Sequence, residues 1–186
     1  MIRSRNKLDA YYTNSKLVEQ LLIKYPVSTN KVILEPCNGK GYISHYLKQE
    51  YSVVTNDIDP NTNSTYLYDF TDKSVVNIFK RHCDIVITNP PFNVAEQILA
   101  NSLEVADEVI MLLRLSFIEP CKSRRDLLNA YKDNLVKVIP ISPRPKFRDD
   151  TTGSDSVTVA WFIWNKNYSW KQLSIDCPFD FITDWK

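Results

Sequence analysis

Two rhythms of apolar and polar positions alternate along this chain. Leu17, Val18, Leu21, Leu22 and Tyr25 recur at helical spacing on one face, with Thr13 or Asn14 placed to cap the helix and Pro26 to end it. Residues 31–35 are then a run of mostly apolar side chains without alternation, the pattern of a strand buried on both sides. Similar runs return at 52–56, 85–88, 109–113, 135–139 and 156–164, with a shorter one at 66–71. Helical patterns separate them at 42–49, from near Asp72 or Lys73, at 94–106 with Ile98, Leu99, Leu103 and Ala106 inward, and after Lys122. Asn93, three positions before Glu96, reads as the cap of the 94–106 helix. Strands alternating with helices from residue 14 to about 130 predict an α/β fold, a mostly parallel sheet of seven strands with helices on both faces.

Length and composition narrow this little. With 186 residues, 44% of them hydrophobic, the chain suits one domain with one well-buried core. Residues 1–9 read as a basic arm, or simply as a solvated terminus, and 165–186 as a tail whose Trp170, Phe179, Phe181 and Trp185 pack on the body. A net charge of +1 excludes nucleic-acid binding through bulk charge and permits a local basic face. The four cysteines form no C-x-x-C pair and the two histidines stand alone, so neither a metal site nor a disulfide framework is expected. With no signal-like start and no apolar run near 18 residues, the expectation is a soluble, cytoplasmic protein with no membrane partner.

The chemistry concentrates at two strand ends. After the strand at 85–88, Asn89-Pro90-Pro91-Phe92 stops the ladder, because neither proline donates a backbone hydrogen bond and each restricts its predecessor. A rigid corner of this kind offers an amide side chain, a proline-held carbonyl and an aromatic face, which together suit a planar amino group. A structural Pro-Pro turn is the plainer alternative. After the strand at 31–35, Glu35-Pro36-Cys37-Asn38-Gly39-Lys40-Gly41 opens a helix, as in a nucleotide-binding strand–loop–helix unit. The dinucleotide fingerprint fails, since Ser44 stands where its third glycine belongs. Asp57 ends the next strand, where this architecture puts a ribose-binding carboxylate, although a solvated turn would also place an Asp there.

These motifs, in this order, resemble those of S-adenosylmethionine-dependent class I methyltransferases of the N6-adenine DNA type, compact phage and prophage methylases included. The resemblance covers residues 12–164 and implies a Rossmann-like sheet whose last strand is the antiparallel one. It also implies S-adenosylmethionine as cofactor. Tyr12 and Thr13 are similar to the first cofactor-contacting motif, with Asn14 where proline is common. Glu35, Pro36, Cys37, Asn38, Gly39 and Gly41 would form the cofactor loop, with Glu35 facing the ammonium. Asp57 would take the ribose and Ile58 the adenine face. Asp69 would take the adenine amine and Phe70 flank its ring, unless Asp69 only caps a helix. Asn89, Pro90, Pro91 and Phe92 would be catalytic, on an exocyclic N6 amine.

For the nucleic-acid substrate the basic residues matter. Arg114 leaves a strand on the same side, and Lys122, Arg124 and Arg125 gather where a helix begins, opposing its dipole and inviting phosphate as a counter-charge. Residues 140–155 are a long loop in which Arg144, Lys146, Phe147 and Arg148 interleave charge with an aromatic ring, as a substrate loop would. No stretch between residues 107 and 164 is long enough for a separate recognition domain, so a partner subunit or a homodimer is a further expectation. RNA (adenine N6 or guanine N2) or a protein glutamine are other substrates the same corner suits. A non-catalytic subunit of the same fold is the alternative of a different class.

Overall fold

The computed structural model describes residues 13–80, 82–119, 121–145 and 157–185. Six strands form one mixed sheet: β1 (Val32–Glu35), β2 (Ser52–Thr55), β3 (Ile85–Thr88), β4 (Glu108–Arg114), β5 (Leu135–Pro140) and β6 (Val159–Asn165). Their spatial order is β2-β1-β3-β4-β6-β5. The first four run parallel to one another, and β6 runs antiparallel between β4 and β5. A strand that returns by a long loop can enter the sheet reversed, whereas parallel entry needs a full crossover.

Alternation along the long strands splits the core in two. Ile110 and Leu112 of β4, with Trp161 and Ile163 of β6, face helices α1 (Ser15–Lys24) and α2 (Tyr42–Leu47). Met111 and Leu113, with Phe162 and Trp164, face α3 (Val75–Phe79) and α4 (Ala95–Val105). Helix α5 (Arg125–Tyr131) contributes partly buried Leu127, Leu128 and Tyr131 to the second side. Helices therefore cover both faces, as the strand runs require. Asn14 does cap α1, its side chain accepting from the Lys16 N–H at 2.9 Å.

The sequence expectations need correction in four places. Among the described residues there are six strands, not seven: residues 66–71 supply a single parallel bridge, Asn56 to Tyr66. The buried Asn56 amide bonds both the N–H and the carbonyl of Tyr68, at 2.9 and 3.0 Å, and so takes the place of a ladder. Asn93 does not cap α4; Val94 holds that position, and its N–H bonds the Pro91 carbonyl at 3.1 Å, so the proline corner itself closes the turn. The third α-helix begins at Val75, with Ser74 before it, and Asp69 bonds Thr71 instead of capping. In the tail, Trp185 is buried but Phe179 and Phe181 are 56% and 59% exposed. The tail pairs with the β5 edge through Val138, Asp180, Ile182 and Ser142 N–H donors, and this pairing turns alternate side chains outward.

Candidate active site

The strand order places β1 and β3 side by side while the chain leaves β1 for β2 on the other flank. Adjacent strands whose connections depart in opposite directions leave a crevice at their carboxyl ends, where ligands bind in open α/β sheets. Glu35 ends β1 and Thr88 ends β3, so both candidate loops start in that crevice.

Glu35 is 1% exposed. Its Oε1 accepts from the Thr88 hydroxyl and from the Cys37 N–H at 3.1 Å, while Oε2 meets no partner among the described residues. Burial pushes its carboxyl up to about 8, the Thr88 and Cys37 bonds work against that rise, and the Asp57 charge adds to it. A buried carboxylate with one oxygen unanswered calls for a cation or a donor. The next residue along from Thr88 is Asn89, whose Nδ2 donates to the Thr13 hydroxyl at 3.1 Å. Two hydrogen bonds thus tie the start of α1, the end of β1 and the proline corner into one cluster.

The glycine loop is built to be approached. Gly39 and Gly41 have φ of +51° and +79°, the left-handed region that side-chain-bearing residues avoid. A Cβ on Gly39 would meet nothing within 4 Å, so the backbone there borders open space. Asp57 holds the loop: its Oδ2 accepts from the Gly39 N–H at 2.6 Å and its Oδ1 from the Asp59 N–H at 2.9 Å. Asn38 links the loop to Ser44 and Ser64. Asn56, which sequence reasoning passed over as a strand end, donates to the Pro36 carbonyl at 3.0 Å and binds both neighbouring segments. Only its burial between three loops identifies it, and no local pattern carries that signal.

The remaining expectations divide. Ile58 and Asp69 are partly exposed beside this cluster's strand ends, and Asp69 Oδ1 accepts twice from Thr71. Phe70 is 3% exposed and packs against Phe79 in the core, so its ring is occupied by packing; this differs from the expected flanking role. Phe92 is partly buried, and the Arg114 guanidinium lies over its ring at 4.8 Å. Arg124 has inward partners: it donates to the Phe117 carbonyl at 2.7 Å, to Cys121 Sγ at 3.2 Å, and lies over the Phe117 ring. A backbone carbonyl and a ring therefore already face this cation. Lys122, Arg125 and Arg144 are exposed, Arg125 beside Asp126 at 3.2 Å. Tyr12, Lys146, Phe147, Arg148 and the arm at 1–9 lie outside the described residues.

Beside Phe92 a cleft of ≈ 400 Å³ opens between the start of α4 and the 3-10 turn Leu115–Ile118. Among the described residues no cluster of His, Cys, Asp or Glu could hold a metal ion, and no helix is long and apolar enough to cross a membrane.

No protein-family model matches the chain, and no curated protein does. Solved structures do. A proposed RNA methyltransferase from Pyrococcus horikoshii is 16% identical with a TM-score of 0.64, over 88% of this chain and 90% of that one. The M protein of the type I restriction enzyme EcoKI is 14% identical with a TM-score of 0.65, over 87% of this chain and 45% of that one. The E. cuniculi Mtq2–Trm112 complex, described as responsible for methylating the termination factor eRF1, is 14% identical with a TM-score of 0.55, over 86% and 99%. The chain thus spans most of the first and under half of the restriction subunit. Identities this low speak for architecture alone, and it is the architecture of these structures that the chain shares.

Proposed function

We propose that this protein is an S-adenosylmethionine-dependent methyltransferase acting on an exocyclic amine, adenine N6 in DNA. The observation that carries the reading is the pair of hydrogen bonds, Glu35 to Thr88 and Asn89 to Thr13, that joins the glycine loop to the Asn-Pro-Pro-Phe corner. Donor site and acceptor site of a transfer must adjoin, and here Thr88, the last residue of β3, and Asn89, the next residue, serve both.

The residues suit the cofactor. The unanswered Glu35 oxygen would take its ammonium, the open backbone at Gly39 would admit it closely, and Asp57 can still accept from ribose hydroxyls beyond its two backbone bonds. Asp69 is the candidate for the adenine amine. Held by these residues, S-adenosylmethionine would supply an electrophilic sulfonium methyl to the amine.

The chain's own task is to present that amine. Its lone pair is delocalised into the base and is poorly nucleophilic while it stays so. The Asn89 side-chain oxygen and the Pro90 carbonyl would accept its two N–H bonds and favour a localised pair. Phe92 would stack on the base, which must leave a duplex at a cost of about a few kcal/mol. Orientation at near-attack distance supplies the rest, and no strong general base is required.

Asn89→Ala tests this. Methyl transfer should fall by about 10³-fold or more, by analogy with losing an essential oriented hydrogen-bonding group, while calorimetry finds cofactor affinity nearly unchanged. Turnover retained in that variant would refute the assignment. RNA is the second reading, favoured by the Pyrococcus structure, which matches along 90% of its length. Tritiated methyl transfer offered to DNA, RNA and protein separates the substrates, and label confined to protein ends both nucleic-acid readings.

A further inference from the structure

The cleft beside Phe92 is walled by Gln97, Glu96, Arg114, Ser116 and Ser123 among others, and by neither Asn89, Pro90 nor any residue of the glycine loop. It shares the Phe92 ring with the corner where the amine would be held and otherwise lies apart from it. Its volume, ≈ 400 Å³, falls in the range of pockets that admit a nucleotide-sized ligand.

Its lining is that of a reader. Arg114 is exposed and its guanidinium lies over the Phe92 ring at 4.8 Å. A guanidinium over a ring can still donate N–H bonds at its rim to a planar or tetrahedral anion. Glu96 is held in place, Oε2 accepting from the Ser123 hydroxyl at 3.1 Å, with Arg124 Nε 3.9 Å away. The adjacent Gln97 is exposed and offers both an amide donor and an acceptor. A fixed carboxylate accepts from a base amino group, and a carboxamide pairs with the edge of adenine. Arg124, turned onto the Phe117 carbonyl, is already engaged and leaves the anion to Arg114.

We propose that this cleft binds the nucleotide adjoining the target in the same strand, Arg114 holding its phosphate and Gln97 with Glu96 reading its base. This rests on the nucleic-acid reading above and adds to it a source of sequence preference. A nucleotide linked to one stacked on Phe92 reaches the cleft without any further motion of the protein, because the two sites share that ring.

The test uses short single-stranded oligonucleotides with one target adenine and every combination of immediate neighbours. Tritiated methyl transfer gives kcat and KM, and fluorescence anisotropy gives affinity independently of turnover. The unaltered protein should favour some neighbours by about tenfold or more. Gln97→Ala should shrink that preference to about threefold or less, by raising KM on the favoured sequence toward that of the others. Arg114→Ala should raise KM by about tenfold on every sequence and lower the salt dependence by about one phosphate contact. A misfolded variant would lower kcat too, and Glu96→Gln provides a second, shape-preserving probe of base reading. Transfer or binding that ignores the neighbours, or a preference surviving in both Gln97→Ala and Glu96→Gln, overturns the pocket while leaving the methyltransferase reading standing. Absence of both binding and transfer with nucleic acid overturns the two together.

Discussion

Glu35 shows how one residue can carry stability and function with opposite signs. Its carboxyl is raised from the ordinary 4.5 to about 8, chiefly by burial, so the folded chain keeps a proton that the unfolded chain has released. That group's contribution is fully present below about pH 4.5 and is lost as pH climbs toward 8, by on the order of a few kcal/mol. Glu35→Gln should therefore flatten the fall in stability between pH 5 and pH 8, roughly the window those values define, in chemical unfolding curves. The same change should weaken S-adenosylmethionine about tenfold or more by removing its counter-charge, read by calorimetry. A variant that leaves affinity intact would dissociate Glu35 from the cofactor. Cys121 offers a separate check. Its exposed thiol is lowered to about 7 by the Ser123 hydroxyl first and by Arg124, whereas burial lifts Cys83 to about 12. Iodoacetamide should label Cys121 with a midpoint near pH 7 and leave Cys83 unmodified in the folded protein, as peptide mapping would record.

At the scale of elements, the two edges of the sheet are finished by different means. On the β2 side the expected strand contracts to a bridge, because Asn56 bonds Tyr68 from a side chain and Tyr66 and Tyr68 stack on each other at 6.1 Å. On the β5 side the tail supplies the missing partner, with Ile182 and Trp185 buried and the Trp185 indole donating to the Pro143 carbonyl at 2.9 Å. An uncovered edge would expose a row of unpaired backbone groups. Trp185→Ala should accordingly cost about 3–5 kcal/mol, whereas Phe181→Ser, 59% exposed, should stay within about 0.5 kcal/mol. Equal costs at the two positions in urea titrations would show that the tail is held in some other way.

For the whole molecule, a net charge of +1 leaves substrate affinity to a few local cations. Of the cations expected to meet nucleic acid, Arg114, Lys122, Arg125 and Arg144 are exposed among the described residues. The logarithm of nucleic-acid affinity should then fall with the logarithm of salt at a slope of about −2 to −4, the value for a few neutralised phosphates. A slope near −8 in anisotropy titrations would require more phosphate contacts than these few cations make. The sheet order is what gathers the chemistry: β1 and β3 adjoin although fifty residues of chain separate them.

Local pattern was enough to place six strands within a residue or three and to end two of them at Glu35 and at the proline corner, because side-chain period and backbone sterics act over a few neighbours. It could not decide which polar groups would find partners. Arg124 looked available to phosphate until a carbonyl from another turn reached it, Phe70 looked available to a ring until Phe79 packed on it, and Asn56 looked like nothing at all. Those partners lie seven to twenty residues away, beyond the reach of side-chain period and backbone sterics, and a hydrogen bond or a contact between them exists only once the tertiary structure has put both ends in place.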